Sequence, residues 1–117
     1  MQLTEVTYKD AVPIDSYGPG FFRIKNEALM GHVIVTATGA RLWGGLEDEA
    51  ALLALAGQVD VLFIGTGAEI AHIPAPLRAR LEAAGLGAEV MNSPAAARTY
   101  NVLVNDGRRV AAALLTV

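Results

Sequence analysis

A chain of 117 residues is near the commonest size for one domain and long enough to bury roughly two-thirds of the surface its unfolded form exposes, so residues 1–117 are read as a single α/β domain. The formal charge of −3 disfavours nucleic acid, whose binding domains concentrate Lys and Arg. The lack of cysteine excludes disulfides, thiol nucleophiles, iron–sulfur ligation and cysteine zinc sites within the chain.

Hydrophobic residues make up 53% of the sequence, which raises the question of a membrane. No unbroken apolar run approaches the roughly 18 residues that a spanning helix needs. The longest stretches, Ala50 to Ala56 and Val110 to Val117, are too short, and much of the excess is alanine, which suits packed helices. The expectation is a water-soluble protein, not an integral membrane protein. Met1-Gln2-Leu3-Thr4-Glu5 lacks the basic start and apolar block of a secretory signal, so the cytoplasm is the expected location.

The first third reads as short strands. Val12 to Tyr17 alternates apolar and polar until Gly18-Pro19-Gly20 signals a turn, after which Phe21-Phe22-Arg23-Ile24 resumes an extended run. Lys25-Asn26-Glu27 reads as a hairpin turn into Ala28-Leu29-Met30. The β-branched run Val33-Ile34-Val35-Thr36 follows, and Arg41-Leu42-Trp43 makes a further strand. These segments predict an N-terminal antiparallel β layer.

From Leu46 the period changes. Glu47, Asp48 and Glu49 place negative charge where a helix N-terminus favours it, and Gly57 suits a C-terminal cap after Ala50 to Ala56. Val59 to Ile64 is the mainly apolar run of a strand covered on both faces, ending at Gly65-Thr66-Gly67. A helix opening at Pro76 sets Leu77, Leu81 and Ala84 on one stripe and stops at Gly85. Gly87 to Met91 is a short strand. Asn92-Ser93-Pro94 then starts a helix whose stripe is Ala96, Ala97, Tyr100, Leu103 and Val104, and Arg109 to Val117 returns as a buried strand. From Val59 onward the alternation of strand and helix predicts an α/β domain with largely parallel pairing and right-handed crossovers, preceded by the β-rich half.

Gly65-Thr66-Gly67 is the first candidate site, because open α/β sheets hold ligands beyond the carboxyl ends of their strands and glycine lets backbone approach closely. It lacks the full G-x-G-x-x-G pattern and any following Lys-Ser/Thr, so a tight structural turn is the competing reading. Glu69 is the only acid near it. Arg98, Asn101 and Asn105 are spaced to share one side of the last helix beside Tyr100, a row suited to a carboxylate, a phosphate or a partner loop, or to plain solvation. Tyr-Asn inside a helix is not chosen for propensity and points to packing or hydrogen bonding. Ser93 at the helix start suits an anion, though capping alone accounts for it. Arg108-Arg109 after Gly107 make a small basic spot. Tyr17, Phe21 and Phe22 flank a glycine-rich turn that reads either as an interface loop or as aromatics divided between core and a neighbouring strand. His32 and His72 lack partners at ligand spacing, and no G-x-S-x-G elbow occurs, so no metal, cofactor or catalytic residue is assigned.

Ile14-Asp15-Ser16-Tyr17-Gly18 with Phe22 downstream, Phe63-Ile64-Gly65-Thr66-Gly67, Met91-Asn92-Ser93-Pro94 with Ala97-Arg98-Thr99-Tyr100-Asn101-Val102-Leu103, and Gly107-Arg108-Arg109-Val110-Ala111 keep a familiar order. Together they resemble a small family of uncharacterised proteins that includes mitochondrial respiratory complex I assembly factor 3. The resemblance implies a three-layer α/β fold with a central mixed sheet and no established catalytic residue. It also implies a eukaryotic relative that helps assemble NADH:ubiquinone oxidoreductase. Some relatives carry cysteine just before the Arg-Thr-Tyr-Asn stretch, where Ala95, Ala96 and Ala97 stand here. A mitochondrial presequence is not seen, consistent with a bacterial protein.

The leading expectation is therefore a non-enzymatic protein-binding or assembly protein, its partner a protein such as a respiratory complex subunit or assembly factor. The alternative is a small-molecule (anion or metabolite) binder or enzyme with its crevice at Gly65-Thr66-Gly67, lined by Arg98 and Tyr100. A structural homo-oligomer is a third reading.

Overall fold

The structure is a computed structural model, and it describes residues 11–117; the reading of Met1 to Glu5 lies outside them. The described residues form strands β1 (Ile14–Gly18), β2 (Phe21–Ile24), β3 (Glu27–Leu29), β4 (Val33–Thr36) and β5 (Gly39–Leu42), then helix α1 (Glu49–Leu53) and β6 (Val61–Gly65). Helix α2 (Ala75–Ala83), β7 (Gly87–Met91), α3 (Ser93–Asn105) and β8 (Val110–Leu114) complete the order.

Turn chemistry sets the N-terminal layer. Pro19-Gly20, with Gly20 at φ +78°, connects β1 to β2, and Lys25-Asn26, both at positive φ, connects β2 to β3. A two-residue loop with both φ positive matches the twist of the flanking strands. The result is an antiparallel sheet of order β1-β2-β3.

The second sheet has the order β5-β4-β8-β6-β7. Its pairings are antiparallel at β5-β4 and β4-β8 and parallel at β8-β6 and β6-β7, so β4 alone runs against the rest. The sheet is mixed, and the direction of its strands is largely shared, as the alternating pattern implied. β8 sits in the middle and is buried throughout. Its residues alternate between two cores: Val110, Ala112 and Leu114 face one, Ala111 and Ala113 the other. That period of two is the signature of a strand covered on both sides.

The first core joins this face to α3 and to the three-stranded sheet through Phe22, Ile24, Ala96, Ala97 and Tyr100. The second joins the opposite face to α1 and α2 through Leu52, Leu77 and Leu81. Three layers follow.

Local boundaries depart from expectation in instructive ways. Helix α1 ends at Leu53, and the chain then tightens into bonds from Leu55 N to Leu52 O and from Ala56 N to Leu53 O, the three-residue spacing of a 3₁₀ turn, before Gly57 at φ +81°. Ala84 lies past the end of α2 and is exposed, so only Leu77 and Leu81 form the expected stripe. Asn92 caps α3, its Oδ1 accepting from Ala95 N at 2.8 Å, with Pro94 in the first turn. Among the described residues no helix is long and apolar enough to cross a membrane.

Candidate functional site

The crossovers after β6 and β7 go to opposite faces, since α2 packs in one core and α3 in the other. The carboxyl ends of β6 and β7 therefore form the switch point at which open α/β sheets commonly hold ligands. Gly65, Thr66 and Gly67 occupy one side of it, Met91 to Ser93 the other. Here the gap is filled by the chain itself. A Cβ added to Gly65 would lie 2.7 Å from both Cα and Oγ of Ser93 and 2.9 Å from Leu114, so only glycine lets the start of α3 sit on the strand end.

The polar groups at this point are spent internally. Gly67 N donates to Ser93 Oγ at 2.9 Å, Ser93 N donates to Gly67 O at 2.7 Å, and Ser93 Oγ donates to Leu115 O at 2.6 Å. Thr66 N donates to Met91 O, while Thr66 Oγ1 donates to Glu69 O and accepts from Ala71 N, both at 2.9 Å. The first turn of α3 is equally occupied: Ser93 N and Ala95 N have the partners given above, Pro94 has no N–H, and Ala96 N donates to Asn92 O. A helix N-terminus attracts anions through unsatisfied N–H groups; these have partners. Gly65-Thr66-Gly67 and Ser93 thus form a hydrogen-bonded seal between β6, α3 and the segment after β8.

The Arg98-to-Asn101 stretch divides by depth. Tyr100 is fully buried, and its hydroxyl donates to Val12 O at 2.8 Å. Burial pushes its pKa well above the ordinary tyrosine value of 10.0. Asn101 is half-buried and clamps one residue of β1: Nδ2 donates to Ile14 O and Oδ1 accepts from Ile14 N, each at 2.8 Å. Ile14 pairs with Ile24 on its other side, so the Asn101 amide serves as a one-residue neighbouring strand along the open edge of β1. Arg98 and Asn105 are exposed, and Arg98 makes no ion pair among the described residues. Tyr100 accordingly lines no ligand crevice, and the polar row reduces to Arg98 and Asn105, with exposed Val102 between them.

The aromatic turn also divides. Phe22 is 0% exposed and belongs to the core, which removes it from any interface. Phe21 folds over Gly18, where an added Cβ would meet its ring at 2.5 Å. Tyr17, 42% exposed, is the aromatic of this turn that the surface presents most fully. The apolar residues of the turn follow the ordinary split between core and edge.

Two features mark the other end of α3. Gly107 at φ +82° ends the helix in a Schellman motif, with Gly107 N donating to Val104 O and Arg108 N to Leu103 O. This sets Arg108, exposed, at the rim of a cavity of about 390 Å³ beside Val104, Val110 and the β4–β5 turn. Arg109 is pinned instead, donating to Gly57 O and Gln58 O. On the far side of Val104 a shallower groove of about 660 Å³ runs between Pro13 and the outer face of α3, at Asn101, Val102 and Asn105. Turn glycines were visible in the sequence, but cavities formed between distant segments were not. His32 accepts from Thr116 N through Nδ1, and His72 is exposed.

A small α/β protein whose strand-end crevice is sealed and whose Tyr-Asn pair fastens the N-terminal layer defines a class by architecture, not by reaction. Residues 14–115 match the model of a family described as protein of unknown function (DUF498/DUF598), and the chain belongs to that family. An uncharacterised protein of Rhodobacter capsulatus is 54% identical over 111 residues, covering 95% of this chain and 90% of the relative. The NADH dehydrogenase [ubiquinone] 1 alpha subcomplex assembly factor 3 of Danio rerio is 30% identical over 109 residues, 87% of this chain and 63% of its own length. The human protein of that name is 26% identical over 112 residues, 90% of this chain and 61% of its own. The chain thus spans less than two-thirds of both assembly factors. Among solved structures, a Bartonella henselae chain described as an outer membrane protein superposes with a TM-score of 0.82 at 35% identity, covering 92% of this chain and 97% of that one. A Bordetella pertussis protein described as an Mth938-like domain gives a TM-score of 0.74 at 26% identity, with coverage of 88% and 84%.

Proposed function

We propose that this chain is a non-catalytic protein-binding module that assists the assembly of a respiratory NADH:ubiquinone oxidoreductase, using the outer face of α3. The observation that carries this reading is the contrast within one helix: Tyr100 and Asn101 are used up holding Val12 and Ile14, whereas Arg98 and Val102, one turn apart, face solvent with Val102 60% exposed. Val102 lines the groove at Pro13, with Arg98 one turn before it and Asp106 one turn after it, and this suits a partner segment with an apolar anchor and an acidic neighbour on the Arg98 side. Relatedness to the assembly factors supplies the partner class. The sealed strand-end turn removes support from a small-molecule crevice at Gly65-Thr66-Gly67.

The test is affinity recovery of the tagged protein from its native cell extract by mass spectrometry, with oxidoreductase activity measured in a deletion strain. The wild-type chain recovers oxidoreductase subunits or their assembly factors, and Arg98→Glu with Val102→Asp loses them without a change in Tm. A clean bait together with normal activity on deletion overturns the reading.

A further inference from the structure

We propose that the cavity at the carboxyl end of α3 is a binding site for an aliphatic carboxylate, with Arg108 as the headgroup cation. This goes beyond the partner reading and uses different residues. The walls are apolar: Val59, Val104 and Val110 are buried core residues that turn a face into the cavity, and half-buried Ala37 closes it from the β4–β5 turn. A volume of about 390 Å³ is in the range of small-ligand sites, which combine an apolar interior with a few polar groups at fixed places.

Charge selects the headgroup. Among the described residues the lining contains Arg108 and Arg109 and no carboxylate; the adjoining pocket around the β4–β5 turn, which shares Thr36, Thr38 and Gln58 with it, adds Arg41, and the groove on the other side of Val104 adds Asp106. In a chain of net charge −3 this is a locally cationic mouth. One cation there is explained by the negative end of the α3 dipole. Three are more than that end requires. Arg109 is committed to the carbonyls of Gly57 and Gln58, which fixes its guanidinium, while Arg108 is exposed and makes no ion pair among the described residues. The hydroxyl of Thr38, exposed at the same mouth, is a further donor. An apolar chamber with a cationic rim fits a ligand that is apolar for most of its length and anionic at one end.

The probes are sodium hexanoate, octanoate and decanoate below their micelle concentrations, followed by amide and methyl NMR of the full chain. Shifts centred on Val104, Val110, Ala37 and Arg108 are expected, with affinity rising about fourfold per added methylene until the cavity is full. Decyltrimethylammonium should not bind there. Arg108→Ala, an exposed change that spares the core, should weaken decanoate about tenfold or more, and Ala37→Leu should block entry while Tm is held. Affinity independent of chain length, equal binding of the ammonium probe, shifts centred elsewhere, or indifference to Arg108→Ala each overturns the proposal.

Discussion

Asn101 and Ile14, separated by 87 positions, share two hydrogen bonds of 2.8 Å, through which one side-chain amide satisfies both backbone polar groups of an edge-strand residue. Asparagine suits the task because its amide carries a donor and an acceptor in the same arrangement as a peptide group. Asn101→Ala leaves both groups of Ile14 without a protein partner. The expected loss is about 1–3 kcal/mol in urea unfolding, with faster amide exchange at Ile14. Asn101→Asp should be worse, because it sets a carboxylate oxygen against the Ile14 carbonyl.

Tyr100 adds a pH signature. Its folded pKa is raised by burial above the ordinary 10.0, so the folded protein keeps the phenolic proton after the unfolded chain has released it. The Tyr100 contribution is then complete below about pH 10 and declines above it, by about 1.4 kcal/mol per pH unit until the folded group ionises. Urea titrations between pH 8 and 11 should show a steeper alkaline loss for wild type than for Tyr100→Phe. At neutral pH the same variant should be less stable by about 1–2 kcal/mol, because Val12 O loses its donor.

The seal at the strand ends predicts intolerance at two small residues. Gly65→Ala pushes a methyl group into Ser93 backbone at 2.7 Å and should cost about 1–3 kcal/mol by forcing α3 away from β6. Ser93→Ala strips a donor from Leu115 O and an acceptor from Gly67 N in a fully buried place, a loss of about 2–4 kcal/mol. Thermal unfolding of both variants checks the pair; wild-type melting for either one removes the seal from the stability of the fold.

Glu49 and Arg80 tie α1 to α2 through a two-pronged ion pair at the surface, with Arg80 Nη2 donating to Glu49 Oε2 at 2.8 Å. The hydrogen bond from Arg80 holds the Glu49 carboxyl below its ordinary 4.5. A lowered carboxylate pKa stabilises above the unfolded value and is lost as pH falls through the folded one. Glu49→Gln should therefore melt slightly below wild type at neutral pH and low salt, and the two should converge in high salt and again under acid.

Those elements whose signals are local were legible in the sequence. The apolar run into Gly65, the Asn92-Ser93-Pro94 start of α3 and the turn glycines each carry their cause within a few residues. The oddity of Tyr-Asn inside a helix was legible too, as a sign of packing or hydrogen bonding, but its partners were not, because Val12 and Ile14 lie at the opposite end of the chain. Arg98 and Asn101 have the spacing of a shared face, yet one meets solvent and the other β1, a distinction set by where the three-stranded sheet docks. Phe22 could not be told from a surface aromatic by its neighbours, since Tyr17 and Phe21 share its composition. Residues 54–56 favour helix by propensity and leave it to bring Gly57 and Gln58 under Arg109.

The strand order has a consequence for how such a chain comes off the ribosome. β8 is made after the other strands, yet it lies between β4 and β6. Until residues 110–114 exist, a nascent chain carries two raw strand edges instead of one finished sheet, and the N-terminal hairpins wait for a helix that is also synthesised late. Edges of that kind pair readily with other chains, and contacts this distant in sequence form slowly. Loss of residues 110–114 would remove the middle of the sheet, not its margin, and leave a product fit for degradation or aggregation.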